Sequence, residues 1–558
     1  MSAPHLSHAG PRSSVTAAAD EGIRGPSPRS NWRLARRRAS PGVRWGRLAA
    51  VLAWVMVVAT GARAAAPNVL LIYADDLGYG DLSCYNPRSA WQTPHLDRLA
   101  REGLRFTDAH SASSLCTPSR YALLTGRYAW RGTLKQGVTQ GYSPALLEPG
   151  RLTLARLLQS RGYTTAMFGK WHLGLDWVKT GPEPEAVDFA KPYGGGPSAH
   201  GFDDYLAISA SLDMPPYVWL RHGRAVSQPT GWIEDSASPK LWRAGVISPD
   251  FDIAAVQPRV TAETISFLER RAAATDGKPF FLYLPLASPH TPVMLTPEFE
   301  GKTGTTPYGD FVAQVDADLG RIFAALDRTG LAATTLVVFT ADNGFAPAVD
   351  IPPQASFNHD PSGGLRGFKS DLFEGGHRVP FIVRWPGVAP AEREVSVTVG
   401  QVDLLATLAD VTGATVPANA GEDSVSFLPL LRGDAAWRPA REGVVHHSAD
   451  GRFAIRAGKW KLLLWPGSGG WSSPTPTPSR WLPVEATDLS TLPKYQLYDL
   501  ESDLAERHNV ADAHPEVVQR LGRLLRRYIE DGRSTPGPAQ PVDRTIPWPH
   551  VSWLNDFP

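Results

Sequence analysis

The chain has 558 residues, of which 42% are hydrophobic and 20% charged, with a formal net charge of +1. That length exceeds one average domain, and the apolar fraction can fill a sizeable core. The near-zero charge hides an asymmetry. Residues 1–66 carry ten Arg against Asp20 and Glu21, so the remainder holds 46 Lys and Arg against 53 Asp and Glu, an acidic body that argues against nucleic acid as a partner.

Residues 1–30 are rich in Ser, Pro and Ala and read as disordered. Arg36, Arg37, Arg38, Arg44 and Arg47 then flank the apolar run Leu48–Thr60, and Ala62-Arg63-Ala64 offers a small-residue cleavage site. This is the pattern of an export signal, with an uncleaved membrane anchor as the alternative. A periplasmic, secreted or lumenal location is expected. An exported chain can pair its two cysteines, Cys84 and Cys116. Both are expected free, because the setting of Cys116 favours chemistry.

Beyond the signal, short apolar runs alternate with helical patterns, which predicts an α/β fold with a large, mostly parallel or mixed sheet flanked by helices. In chain order, a strand over Asn68–Ala74 is followed by a helix over Pro94–Glu102, with Thr93 as N-cap, Pro94 in its first turn and Gly103 as the stop. A helix over Leu152–Ser160 precedes a strand over Thr164–Phe168. Residues 174–260, rich in Pro, Gly and Trp, read as loops over the sheet. Then come a strand at Phe280–Leu284, an amphipathic helix at Gly309–Leu326, and strands at Leu336–Thr340 and Pro380–Trp385. Around residue 440 the pattern changes to short strands, Phe453–Arg456 and Trp460–Trp465, closed by an amphipathic helix near Glu516–Glu530. The expected organisation is a basic leader and signal (1–66), a catalytic domain (67–440) and a small C-terminal domain of antiparallel sheet plus helix (441–558).

Four predicted strands run into reactive side chains: Asp75-Asp76, Lys170-Trp171-His172, Ser288-Pro289-His290 and Asp342-Asn343. Sites in open α/β sheets form at the carboxyl ends of strands, so four such ends together suggest one convergent site. Asp75, Asp76, Asp342 and Asn343 are hard oxygen donors suited to a divalent cation, although an Asp pair after a strand is also an ordinary turn. Cys116 lies in Ser114-Leu115-Cys116-Thr117-Pro118-Ser119-Arg120, and Gly126 suits a helix stop. Pro118 at the first helical position puts Cys116 at a helix N-terminus that attracts anions, with Arg120 one turn on as a fork for an oxyanion. The alternative is a buried, inert cysteine. His446 and His447 are expected on the surface, and Trp171, Trp219, Trp232, Trp471 and Trp481 as packing residues that can also stack on sugar rings. Gly194-Gly195-Gly196 reads as a flexible loop.

The run from Cys116 to Gly126, C-x-P-x-R with its apolar continuation and closing Thr-Gly, resembles the first signature of the formylglycine-dependent sulfatases of the alkaline phosphatase superfamily. Gly162-Tyr163-Thr164-Thr165-Ala166-Met167-Phe168-Gly169-Lys170-Trp171-His172 resembles their second signature. The resemblance extends over most of residues 67–515. It includes Asn68–Gly80, the segment Leu365–Lys369 with Glu374-Gly375-Gly376, and the late pair Leu497-Tyr498-Asp499-Leu500 and Glu506-Arg507-His508-Asn509. Phe368 departs from the small residue usual before the lysine.

The resemblance implies an arylsulfatase-like sulfuric ester hydrolase acting on aryl or carbohydrate sulfates. It implies that Cys116 is oxidised by a formylglycine-generating enzyme to formylglycine (3-oxoalanine). One hydroxyl of the hydrated aldehyde attacks sulfur, and the other then loses its proton to release sulfate. It places one calcium ion on Asp75, Asp76, Asp342, Asn343 and the modified Cys116. Arg120 and Lys170 steady the diol and the carboxylates, His172 assists elimination, and Asp342 orients or accepts the attacking proton. Lys170, Lys369 and His290 contact substrate, with His290 as general acid. The competing readings are a phosphate or phosphonate ester hydrolase of the same superfamily and a non-catalytic glycan-binding relative.

Overall fold

The computed structural model describes residues 66–238, 240–349, 356–479 and 481–558. The leader composition and export signal expected in residues 1–65 lie outside the described residues. No described helix is long and apolar enough to cross a membrane.

The strands, in chain order, are Asn68–Asp75 (β1), Leu104–Phe106 (β2), Ala109–His110 (β3), Thr164–Lys170 (β4), Asp204–Ile208 (β5), Leu220–Arg221 (β6), Arg224–Ala225 (β7), Gly231–Ile233 (β8), Gly245–Ile247 (β9), Phe280–Pro289 (β10), Thr335–Ala341 (β11), Phe381–Arg384 (β12), Arg393–Val395 (β13), Val399–Gly400 (β14), Val444–His447 (β15), Phe453–Ala457 (β16), Trp460–Leu463 (β17) and Gln496–Asp499 (β18). Ten of them form one mixed sheet in the order β13-β2-β12-β11-β1-β10-β4-β5-β6-β7. The central run β11-β1-β10-β4-β5 is parallel throughout, whereas β12 joins β11 antiparallel.

Parallel strands covered on both faces carry near-continuous apolar sequence, because both faces are dry. In β1 the alternation splits cleanly. Leu70 and Ile72 face a core shared with the helices Pro94–Arg101, Val256–Ala273 and Pro307–Arg328. Val69, Leu71 and Tyr73 face a second core with the helices Cys116–Thr125, Leu154–Gln159 and Leu404–Thr412. The expected strands and helices are all present, with ends moved by a few residues.

Three details differ from the sequence reading. Residues 174–260 are not all loop, since β5 to β7 extend the main sheet. Thr93 does not cap the helix Pro94–Arg101 with its side chain. The carboxylate of Asp316, from the helix Pro307–Arg328, instead accepts the free N–H groups of His95 and Leu96 at 3.1 and 2.8 Å. Cys116 is itself the first residue of its helix, with Pro118 third.

Strands β15 to β18 form a separate four-stranded antiparallel sheet, against which the helix Pro515–Glu530 packs. Its first strand ends beside the loop that leads to Cys116. Ser114 donates its N–H to the His447 carbonyl at 3.0 Å, and the Ser113 hydroxyl donates to the same oxygen at 2.7 Å. His446 and His447 are therefore buried, 0% and 3% exposed, against the expectation of surface positions.

Candidate active site

Because β11, β1, β10 and β4 are neighbours and parallel, their carboxyl ends lie on one edge of the sheet. That edge collects Asp342 and Asn343, Asp75 and Asp76, His290, and Lys170 with His172. The helix beginning at Cys116 reaches the same point: one ligand-type atom from each of Asp75, Cys116 and Asp342 lies within 4.8 Å of the others. Lys369 comes from the loop before the short helix Glu374–His377, its backbone N–H held by the Phe345 carbonyl at 2.9 Å. All ten expected site residues thus converge, each of them less than a tenth exposed.

The carboxylates are neutralised in pairs. Lys170 Nζ lies 2.6 Å from Asp75 Oδ2, and Lys369 Nζ lies 2.7 Å from the Asp76 carboxylate. The Arg120 fork is taken up by two carboxylates of the cluster rather than left open for a substrate oxyanion, which its position in the sequence suggested. Nη2 and Nε both donate to Asp342 Oδ2, at 2.7 and 3.1 Å, and Nη2 is 3.5 Å from Asp75 Oδ1. Burial opposes ionisation of Asp75, but Lys170, His290 and Arg120 outweigh it and hold the carboxyl well below its ordinary range. Burial and the neighbouring Asp75 charge push Asp342 up to about 7 despite Arg120. Burial also raises the Cys116 thiol, against the pull of Lys170 and Lys369, so an unmodified thiol here stays protonated and a poor nucleophile.

Two histidines have defined orientations. His172, at φ +55°, approaches the Thr139 carbonyl with Nε2 at 2.8 Å, while its buried Nδ1 has no partner. Burial, aided by Lys170 and Arg120, depresses its pKa well below the usual value, so the ring is neutral and Nδ1 is left as an acceptor. His290 points Nδ1 at the Thr291 carbonyl at 2.5 Å and Nε2 toward Asp76 Oδ2 at 3.4 Å.

The donor set fits a hard cation. Asp75 Oδ1 and Asn343 Oδ1 are both buried without a hydrogen-bond partner among the described residues, an expensive state that an oxygen-seeking ion relieves. Asp76, also at a left-handed φ of +60°, turns its backbone N–H to Asp342 Oδ1 at 3.1 Å and so carries its own carboxylate to the same cluster.

A cavity of about 380 Å³ opens over this cluster, with Cys116, Asp76, His290 and Lys369 at its base. Sequence reading missed Ser211 and Asp213 on its wall. They follow β5, the strand hidden in the segment taken for loop. Ser211 Oγ accepts from Lys170 Nζ at 3.2 Å and lies 3.4 Å from the His290 ring nitrogens.

The sulfatase family profile matches residues 67–414, which contain this whole constellation. The chain belongs to the sulfatase family. It is 34% identical to the N-acetylgalactosamine-6-O-sulfatase of Bacteroides thetaiotaomicron, over 82% of this chain and 92% of that protein. It is 36% identical to bovine arylsulfatase A, over 87% of this chain and 93% of that one. A solved Bacteroides thetaiotaomicron sulfatase structure described under glycosaminoglycan metabolism superposes with a TM-score of 0.72 at 32% identity, covering 84% of this chain and all of that one. This sulfatase is a sulfuric ester hydrolase. The ten-stranded sheet and the separate four-stranded sheet are the family's architecture.

Proposed function

We propose that this sulfatase cleaves sulfate esters of sugars or aryl alcohols with Cys116 in its formylglycine form and one calcium ion on Asp75, Asp76, Asp342, Asn343 and residue 116. The observation that carries the reading is the meeting of Cys116 with Asp75 and Asp342 within 4.8 Å, beneath a cavity that also exposes Lys369 and His290. An aldehyde at position 116 supplies, as its hydrate, one hydroxyl to attack sulfur and a second whose deprotonation expels sulfate; a thiol offers no second group. Calcium supplies Lewis acidity to a sulfate oxygen and to the hydrate.

The protein's own residues do the remaining work. Lys369 and His290, on the pocket side of Asp76, receive the negative sulfate oxygens, with Ser211 and Lys170 behind them. Asp342, beside residue 116 in the cluster, takes the proton of the attacking hydroxyl. His172, neutral with Nδ1 unpartnered, takes the proton whose removal drives elimination. Arg120 and Lys170 fix the carboxylates by buried charge-assisted bonds, so the site needs little reorganisation during reaction. His290 Nε2 is the proton source for the departing alcohol.

The Arg-rich, apolar segment before residue 67 supports export, and with it oxidation of Cys116 by a formylglycine-generating enzyme during maturation. Residues 67–440 are taken as the catalytic domain and 441–558 as the smaller one. The test is a parallel assay of matched sulfate and phosphate esters on purified protein, with peptide mass spectrometry of position 116. Sulfate hydrolysis by protein carrying an aldehyde or its hydrate is expected. Equal or faster phosphate ester hydrolysis would overturn the assignment.

A further inference from the structure

The wall of the active-site cavity carries two charged groups that the chemistry above does not use, Asp213 and its ion-pair partner Arg243. Asp213 lines the pocket and is 6% exposed. Its backbone carbonyl is fixed by the Arg243 N–H at 3.0 Å and the Tyr217 hydroxyl at 3.2 Å. Among the described residues Oδ2 has a single ion-pair partner, Arg243 Nη2 at 3.4 Å. Oδ1 is buried and has no hydrogen-bond partner among the described residues. Arg243 is itself steadied on the rim, donating to Gln140 Oε1 at 2.6 Å. A carboxylate oxygen taken out of water without a donor costs free energy, and that cost is removed when a ligand brings an O–H or N–H.

The other pocket walls do not choose between ligands. Met214, Leu241 and Trp471 accept the apolar face of a sugar, an aromatic ring or a steroid alike. Asp213 does choose. A leaving group with a hydroxyl or amide donor satisfies Oδ1, whereas a plain aromatic or steroid alcohol covers it and leaves it unpaired. Sites built to hydrogen-bond a substrate group reject analogues that lack it far more strongly than apolar pockets reject a change of size.

Building on the sulfatase reading, we propose that Asp213, oriented by Arg243, is the specificity-determining residue of this pocket, accepting a hydrogen bond from a hydroxyl or amide N–H of a sulfated sugar. The natural substrate class is then a carbohydrate sulfate rather than an unsubstituted aryl or steroid sulfate.

The experiment measures kcat/KM for 4-nitrophenyl sulfate and for a panel of hexose and N-acetylhexosamine O-sulfates, using the wild type, Asp213→Ala and Asp213→Asn. The wild type should turn over at least one sugar sulfate with a higher kcat/KM than the nitrophenyl ester. Asp213→Ala should lower the ratio of sugar to nitrophenyl kcat/KM by roughly 10–100-fold, the range of a hydrogen bond to a charged group. Asp213→Asn keeps a carbonyl acceptor and should lower the ratio less. Because each ratio comes from one protein sample, a partly misfolded variant does not change it. An unchanged ratio in both variants, or a wild type that prefers the nitrophenyl ester to every sugar, overturns the inference and leaves the sulfatase reading standing. A wild type with verified formylglycine and calcium that hydrolyses none of these esters overturns both.

Discussion

Lys461→Met is the sharpest test of what holds the small sheet to the catalytic body. Lys461 Nζ, fully buried, lies 3.0 Å from Glu374 Oε1, 2.8 Å from Glu506 Oε1 and 3.1 Å from His377 Nε2. Methionine keeps the apolar stem and removes the cation that bridges the two buried carboxylates, leaving Glu374 with Arg378 at 3.3 Å and Arg456 at 3.6 Å. Breaking a buried pair by deleting one partner typically costs about 3–5 kcal/mol, mostly as uncompensated charge. The pH dependence carries its own sign. Burial and Glu374 raise Glu506 to about 7 despite Lys461, so its contribution is full below the ordinary glutamate range and disappears as pH climbs toward 7. Burial opposes ionisation of Glu374, but Lys461, His110 and Arg456 hold it well below its ordinary range, so its contribution is present at neutral pH and lost on acidification. Without Lys461 a carboxyl of the pair must keep its proton to still higher pH, so the folded variant binds more protons than its unfolded chain over a wider window. The destabilisation should therefore be at least about 1 kcal/mol larger at pH 8 than at pH 5.5, at about 1.4 kcal/mol per pKa unit. Urea unfolding of both proteins at the two pH values measures it. A loss below 1 kcal/mol (about a third of the lowest expected value), or a loss greater at pH 5.5, would refute the reasoning.

Cys116→Ala should abolish turnover, and peptides of the active wild type should carry an aldehyde or its hydrate at position 116; full activity with an intact thiol would contradict the nucleophile. Asp75→Ala should lose bound calcium and lower kcat/KM by more than roughly 100-fold, beyond what an outer-shell partner of a metal usually costs. Metal analysis beside the assay separates that loss from misfolding, and undiminished turnover in metal-free protein would sink the calcium assignment. His290→Ala should cost roughly 10²–10⁴-fold on a sugar sulfate, the usual span of general acid catalysis, and clearly less on 4-nitrophenyl sulfate, whose phenolate leaves unaided. Equal losses would assign His290 to sulfate binding instead.

The strands that carry the site were legible because a strand dry on both faces must be apolar along its length, and Val69–Ala74, Phe280–Leu284 and Leu336–Phe339 are. The reactive residues stand immediately after them, so convergence followed once the strands were taken as parallel neighbours. β5 was not legible, although Tyr205–Ile208 are buried: a strand of five residues among Pro, Gly and Trp gives no period to read. Losing β5 meant losing Ser211 and Asp213, which its carboxyl end positions. Arg120 was legible only in part. Its place in the first helical turn suggested a substrate oxyanion, whereas its partners are the carboxylates of Asp342 and Asp75, 222 and 45 positions away in the chain; no local pattern announces them, and only the family resemblance pointed to carboxylates. The same holds for His446. It was expected on the surface, yet its ring stacks on that of His377 with centroids 3.7 Å apart.

The small sheet clamps the two chain segments that bring Cys116 and Lys369 to the cluster. Cys116 and Lys369 are far apart in sequence and neither belongs to a strand of the main sheet. Ser370 bridges them: its N–H donates to the Ser114 carbonyl at 2.8 Å, while its own carbonyl accepts from Ala449, just beyond β15, at 3.0 Å. Ser114 in turn donates to His447 at 3.0 Å, so the approaches to Cys116 and Lys369 are tied to each other and to the end of β15. Beyond β17, Ser468 accepts the Leu372 N–H at 2.7 Å, and the Trp471 N–H reaches Ser370 Oγ at 2.9 Å. Gly470 passes so close to Ser370 that a Cβ there would fall 2.4 Å from its hydroxyl oxygen, which explains a residue without a side chain at that crossing. Directional backbone bonds fix position more finely than apolar contact does, and displacements near 1 Å at a reacting centre are costly. The four strand ends hold the carboxylates, Lys170 and His290. The segment from β15 to Trp471 holds the Cys116 loop and Lys369 against them, so the cluster draws on residues well beyond 440.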